Sequence, residues 1–142
     1  MPHYTSPNLI YKVNYIFFTL NSNKMTTSEV ANKLVELCRQ GKIDEVLETL
    51  FADNAQSIEA NDMMGPRVVE GLQAIKAKSA AFQADVEEFH GAKISDPIVA
   101  ANSFALTWTL DATFKGRGRM SMEEVCVYQV KDGKVILEQF FY

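Results

Sequence analysis

Residues 98–142 read IVAANSFALTWTLDATFKGRGRMSMEEVCVYQVKDGKVILEQFFY. Apolar and polar residues alternate with period two through most of this stretch, the pattern of strands with one buried face, and no helical repeat interrupts it. Two tight turns divide it. Lys131-Asp132-Gly133-Lys134 carries the Asp-Gly pair of a type I′ hairpin, whose two central residues both need positive φ. Lys115-Gly116-Arg117-Gly118 can close as a II′ hairpin with Gly116-Arg117 as its loop. Strands are therefore expected over about 90–96, 98–115, 119–130 and 134–142, joined as an antiparallel meander.

The turns also predict a register. Position 131 facing 134 sets Tyr128 opposite Leu137 and Glu124 opposite Phe141. Position 115 facing 118 sets Thr109 opposite Glu124, Thr107 opposite Cys126 and Asp111 opposite Met122. One face then carries Thr107, Thr109, Asp111, Glu124, Cys126, Tyr128, Leu137 and Phe141. The other carries Leu106, Trp108, Leu110, Val125, Val127 and Phe140. The first face mixes several kinds of polar group with large apolar ones, which marks it as the face of a site. A slip of one residue at the Gly116 turn would break this pairing.

Upstream the period changes. Thr26-x-x-Glu29 is a capping box, in which each side chain satisfies a backbone N–H at a helix start. Val30, Leu34, Leu37 and Cys38 follow at helical spacing and end at Gly41. Ile43, Val46, Leu47, Leu50 and Phe51 form the stripe of a second short helix. Ala55–Asn61 reads as a strand, and 62–67 as a loop marked by Gly65-Pro66. After Gly71 a third helix places Leu72, Ile75, Ser79, Phe82 and Val86 on one face and ends near Phe89–Gly91. Two helices, a strand, a helix and a meander make an α+β fold, one curved sheet covered on one side by helices.

Composition agrees with one globular domain. The 142 residues are 47% hydrophobic and 23% charged, too apolar for disorder. Fourteen Lys and Arg against 18 Asp and Glu give a net charge of −4, which argues against a nucleic acid or an anionic membrane as the main partner. Cys38 and Cys126 have no metal-ligand spacing and suit a reducing cytoplasm. No Gly-rich phosphate loop, GxSxG elbow or His-pair metal motif occurs, so no metal or other cofactor is expected. Residues 1–24 read as a leader outside the domain, which spans 25–142. They hold three tyrosines, four asparagines and no acid, and their apolar run at 15–20 is too short to span a bilayer.

Three weak motifs in order carry a likeness. They are Leu50-Phe51-Ala52-Asp53-Asn54-Ala55, Gly71-Leu72-Gln73-Ala74-Ile75 and Asp132-Gly133-Lys134-Val135. Through them the chain from Thr26 to Tyr142 resembles the nuclear transport factor 2-like superfamily, in its SnoaL-like and ketosteroid-isomerase-like branch. The resemblance implies a cone: a bent antiparallel sheet wraps a helix and leaves an apolar pocket at the open end. It also implies a homodimer, and chemistry ranging from isomerisation, cyclisation and dehydration to no catalysis at all. In ketosteroid isomerases a carboxylate on the first strand moves a proton next to a carbonyl, while a Tyr and a protonated Asp stabilise the oxyanion. Counted forward from Leu50-Phe51-Ala52-Asp53, the base position falls on Glu59; counted back from Gly71 it falls on Asp62. The forward count is preferred, because the strand precedes the insertion. The family's helix tyrosine is missing from Lys33-Leu34-Val35-Glu36. The second donor matches Glu124.

The candidate site follows. Glu59 is the expected acid/base, because a carboxyl in an apolar recess titrates near neutral pH, and Glu124 is expected to stabilise the developing oxyanion. Asp111 is a possible third acid on the same face as Glu124, and Tyr128 could offer a hydroxyl to a ligand carbonyl. Trp108, Phe82, Met122 and Phe141 suit an apolar wall. Asp62 and His90 are polar candidates at its edge; for His90 the competing role is a contact with the last carbonyls of the third helix. The expected ligand is a small apolar carbonyl compound, and the alternative is a non-catalytic dimeric binding or interaction module.

Overall fold

The computed structural model describes residues 23–142, and whatever the leader reading says of residues 1–22 lies outside the described residues. The capping box forms as read. Thr26 Oγ1 accepts the Glu29 N–H at 3.2 Å, and Glu29 Oε2 accepts the Thr26 N–H at 2.7 Å. It opens α1 (Thr27–Arg39), which buries Val30, Leu34, Leu37 and Cys38. The second helix, α2 (Ile43–Leu50), buries Val46, Leu47 and Leu50 and runs directly into β1 (Phe51–Ile58). That strand starts four residues before the expected Ala55, because Phe51 and Ala55 are both buried in it. A short β2 (Val68–Glu70), not anticipated, pairs with it.

The third helix, α3 (Leu72–Asp85), stops earlier than its apolar stripe suggested. Val86 already stands opposite Phe114 in the sheet, so it opens β3 (Val86–Ile94), and a β-branched residue favours that state. His90 therefore sits within a strand and not beyond a helix end. The expected strand over 98–115 breaks at Ala101, whose φ is 52°, into β4 (Ile98–Ala100) and β5 (Ser103–Phe114). Two long strands follow, β6 (Gly118–Lys131) and β7 (Lys134–Phe141).

Seven strands make one curved, unclosed sheet in the order β2-β1-β7-β6-β5-β3, with β4 on β5. All pairs are antiparallel except β1 with β7, which makes the sheet mixed. The helices cover its concave face. There Phe104, Leu106, Cys126, Tyr128, Val130 and Val135 form one core with the buried residues of α1 and α2. Each fully buried Leu or Phe in it is worth about 1.5–3 kcal/mol.

Both hairpins depart from the expected register by one residue. Phe114, not Lys115, faces Gly118, so three residues form the loop, and Gly116 and Gly118 have φ of 70° and 77°. Glu124 thereby stands opposite Trp108, Cys126 opposite Leu106 and Tyr128 opposite Phe104. At the other hairpin Lys131 faces Lys134 as expected, with Asp132 and Gly133 both at positive φ. A bulge follows: Val130 faces Val135, but Gln129 faces Leu137, so Ile136 has no partner. The concave face therefore carries Trp108, Glu124, Cys126, Tyr128, Glu138 and Phe140. Thr107, Thr109, Asp111, Leu137 and Phe141 move to the convex face with Val125 and Val127.

Candidate functional site

The polar residues of the concave face gather beside α3. Glu59 lies just past the end of β1. Its backbone N–H donates to the Arg67 carbonyl at 2.8 Å, and Arg67 Nε returns a bond to its carbonyl at 3.2 Å, so the root of the 59–67 loop is fixed. Its carboxylate is ion-paired with Lys78 and accepts the Tyr142 hydroxyl at 3.3 Å. Lys78 follows the buried Ile75 by three residues on α3, which turns it toward the sheet. Its ammonium donates to Ser57 Oγ at 2.8 Å and lies 5.1 Å from the centre of the Phe140 ring. Ser57 and Glu138 are neighbours in the parallel β1–β7 ladder, and Ser57 Oγ donates to Glu138 Oε1 at 2.7 Å. An ammonium can only donate, so the one hydroxyl proton of Ser57 must point at Glu138.

Glu124 completes the cluster. It comes from β6, opposite Trp108, and Oε1 accepts the Cys126 thiol at 3.6 Å. Burial pushes its carboxyl up to about 7; the Cys126 contact opposes that rise and the charge of Glu59 adds to it. Burial also lifts Glu138 to about 7, against the pull of Ser57 and Lys78. The charge of one ammonium thus reaches three carboxyls, of which only Glu59 is paired with it. Two of them titrate near neutral pH, while Glu59 holds the ion pair. Such a set can offer a proton from one group and accept one at another.

Other expected residues fall in different places. Tyr128 is on the concave face, but it is a core residue stacked on Phe104 at 4.8 Å, and burial holds its hydroxyl well above its ordinary range. Trp108 and Met122 share the face of Glu124, both half-buried. Phe82 reaches from α3 edge-on to Phe114 at 5.7 Å. The one-residue register change puts Asp111 on the convex face, where Arg119 binds both its oxygens at 3.0 and 2.8 Å and lowers its carboxyl pKa. His90, held in β3, contacts Thr113 Oγ1 at 2.7 Å, away from the acids. Asp62 is exposed in the loop, and its carbonyl accepts the Gly65 N–H at 3.3 Å. Phe141 faces outward and is half exposed, because Phe140 took the inward position.

Three members of the cluster escaped sequence reasoning: Ser57, Lys78 and Glu138. Lys78 carried a signal: of the two lysines of α3 it is the one at helical spacing from the apolar positions 75 and 82. Ser57 stands two residues before Glu59 and so shares its side of the strand. Glu138 is the single acid between Ile136-Leu137 and Phe140-Phe141, but only the Ile136 bulge turns it inward. Among the described residues, no group of three or more His, Cys, Asp or Glu side chains is arranged to hold a metal ion. No helix among them is long and apolar enough to cross a membrane. Two open hollows of about 530 and 470 Å³ lie along α1, and neither includes the acids.

Comparison with known proteins agrees with this architecture. No curated protein matches the chain. A crystal structure from Mesorhizobium loti, provisionally named a SnoaL-like polyketide cyclase, is 38% identical. It superposes with a TM-score of 0.78 over 83% of this chain and all of that one. A ketosteroid isomerase-like protein from Catenulispora acidiphila, solved with trimethylamine, is 17% identical with a TM-score of 0.64, covering 82% of this chain and 87% of its own. A cystatin-like fold from Xanthomonas campestris gives 14% and 0.69, covering 82% and 90%. The profile of the SnoaL-like domain matches residues 25–142, and the chain belongs to that family.

Proposed function

We propose that the protein is a cofactor-independent isomerase, cyclase or dehydratase that acts on a small apolar carbonyl compound by carboxylate acid/base chemistry. Glu59, ion-paired with Lys78, is the base. Glu124, with a carboxyl near neutrality, is the acid that meets the developing oxyanion. The observation that carries the reading is the convergence of two carboxyls, one paired with an ammonium and one buried beside an indole, Trp108, at the concave sheet face. The assignment of the Mesorhizobium loti relative as a cyclase points the same way. The test is deuterium exchange at carbons next to the carbonyl in a panel of cyclic ketones, followed by NMR in heavy water. Glu59→Gln should slow exchange at least a hundredfold while ketone binding persists. Absence of exchange with every member of the panel refutes the reading.

A second reading, a binding or interaction module without chemistry, is favoured by one observation: Lys78 closes directly on Glu59, which ties up the base. Retained ketone binding without exchange would select it. The partner we propose in either case is a second copy of the chain. Ile98, Ala105, Thr107, Val125, Val127 and Phe141 form an uncharged stretch of the convex face bordered by Glu123, and Ile98, Val125 and Phe141 are exposed there. Val125→Glu should convert a dimer to a monomer in sedimentation, and a wild-type monomer refutes the assignment. We place the protein in the cytoplasm, since both cysteines are free and buried.

A further inference from the structure

We propose that Lys78 is a second oxyanion-binding group of the site beside Glu124, held in place by Ser57 and Glu138. The inference rests on the acid/base reading above and assigns a residue that the reading leaves as a mere counter-ion. The ammonium has three N–H donors. One meets Glu59, one meets Ser57, and the third side of the group lies toward the Phe140 ring. The side chain is 28% exposed and that of Glu59 is 20% exposed, so neither is sealed from solvent.

The charge balance supports the role. In the resting site the ammonium is matched by the Glu59 carboxylate. When Glu59 takes a proton from the carbon beside a carbonyl, the C–H pair becomes the new C=C bond and the carbonyl pair moves to oxygen. Glu59 is then neutral and the oxygen carries the charge. Lys78 loses its first counter-ion in the step that creates a second one, and it transfers no proton. Its attraction to the oxygen therefore grows toward the transition state, the condition for catalysis by differential binding. The Tyr position on the first helix that the family resemblance would have supplied is filled here by Lys33-Leu34-Val35-Glu36, so this cation takes over a donor role.

The Ser57–Glu138 pair gives the ammonium its place. Ser57 is fully buried and Glu138 is 7% exposed, so neither can swing toward solvent. The fixed polarity of the hydroxyl leaves its lone pairs facing Lys78. Released from Glu59, the ammonium stays anchored at one point and can turn toward substrate.

The probe is para-nitrophenol, whose anion is yellow and whose neutral form is colourless, titrated with the intact protein. In a Glu59→Gln chain, whose neutral side chain stands for the base after it has taken its proton, the site should bind the anion about tenfold to a hundredfold more tightly than the neutral phenol, the range for a hydrogen bond to a charged group. Its colour change then moves to lower pH by the same factor. Added to that chain, Lys78→Met should abolish the preference, Lys78→Arg should retain part of it, and Ser57→Ala should weaken it about threefold. Near-UV circular dichroism verifies the fold of each variant, and Lys78→Arg against Ser57→Ala keeps the comparison if Lys78→Met does not fold. A Glu59→Gln chain that leaves the probe unchanged, or an anion preference that survives when Lys78→Met is added to it, overturns the proposal. An anion preference that depends on Lys78, with no ketone exchange, overturns the acid/base reading and leaves Lys78 an anion-binding group. Exchange lost in Glu59→Gln together with an undiminished preference in Lys78→Met overturns Lys78 alone.

Discussion

Replacing Glu138 with Gln should make the protein more stable at alkaline pH and leave it almost unchanged in acid. Glu138 is 7% exposed, and burial raises its carboxyl from the ordinary 4.5 to about 7. Ionising it is therefore harder in the fold than in the unfolded chain by about 3 kcal/mol, at about 1.4 kcal/mol for each tenfold change. A raised carboxyl contributes stability that is complete below the unfolded value and is lost as pH climbs through the folded one. Stability of the wild type should thus fall between about pH 4.5 and pH 7, and stay low above it. Glutamine keeps the shape and a carbonyl to accept the Ser57 proton, but it has no charge to desolvate. It should remove up to about 3 kcal/mol of that fall, less whatever attraction to Lys78 is lost. Glu124, raised to about 7 by the same cause, keeps a pH dependence of its own in the variant. The assay is urea unfolding at pH 4.5, 6, 7 and 8, with equal m-values required for the comparison. A wild type whose stability is flat from pH 4.5 to 8, or a Gln variant weaker than wild type at pH 8, would refute the reasoning.

Gly133→Ala should destabilise the fold by about 1–3 kcal/mol, read by thermal unfolding. Its φ is 75°, and an added Cβ would stand 3.0 Å from the Met25 backbone nitrogen and 3.1 Å from its carbonyl oxygen. An unchanged melting temperature would mean that the hairpin relaxes away from residue 25. Asp111→Asn should leave ketone exchange and anion preference unchanged, because its partner is Arg119 on the convex face. A tenfold loss of exchange would put this carboxylate back in the site.

The fold was legible because each element carried a local signal. The Thr26 box, the stripes of α1 and α2, and the Asp132-Gly133 turn all require only residues close in sequence. The sites of error share a cause as well: each depended on a partner far along the chain. Val86 continues a helical stripe, and only Phe114 across the ladder makes it a strand. Ala101 takes a left-handed backbone with no glycine to announce it, so β4 and β5 read as one strand. The parallel pairing of β1 with β7 brings together residues about eighty positions apart, which no periodicity encodes. Glu59 and Glu124 were readable as a pair because the resemblance supplied their positions. The neighbours that tune them were not, since the side a strand residue faces turns on a one-residue register.

The Ile136 bulge shows how much hangs on that register. Without it, the pairing at Lys131 and Lys134 would run on regularly and put Leu137 opposite Tyr128. An apolar Leu would then fill the place where Glu138 now stands, with about 1.5–3 kcal/mol from its burial. The chain instead inserts one residue and buries a carboxyl that costs about 3 kcal/mol to ionise at that place. Stability alone gives no reason for the exchange. The bulge also turns Phe140 inward under the Lys78 ammonium and sends Leu137 and Phe141 to the convex face. One inserted residue therefore anchors the ammonium, supplies its ring and builds part of the apolar outer patch. Bulges that re-aim side chains concentrate beside functional sites. Glu138→Leu puts the apolar side chain of the regular register at this place. It should raise stability above pH 7 while weakening the anion preference assigned to Lys78. A Leu variant that is weaker at pH 8, or that keeps the preference intact, would mean that the carboxyl is buried for some purpose other than holding Lys78.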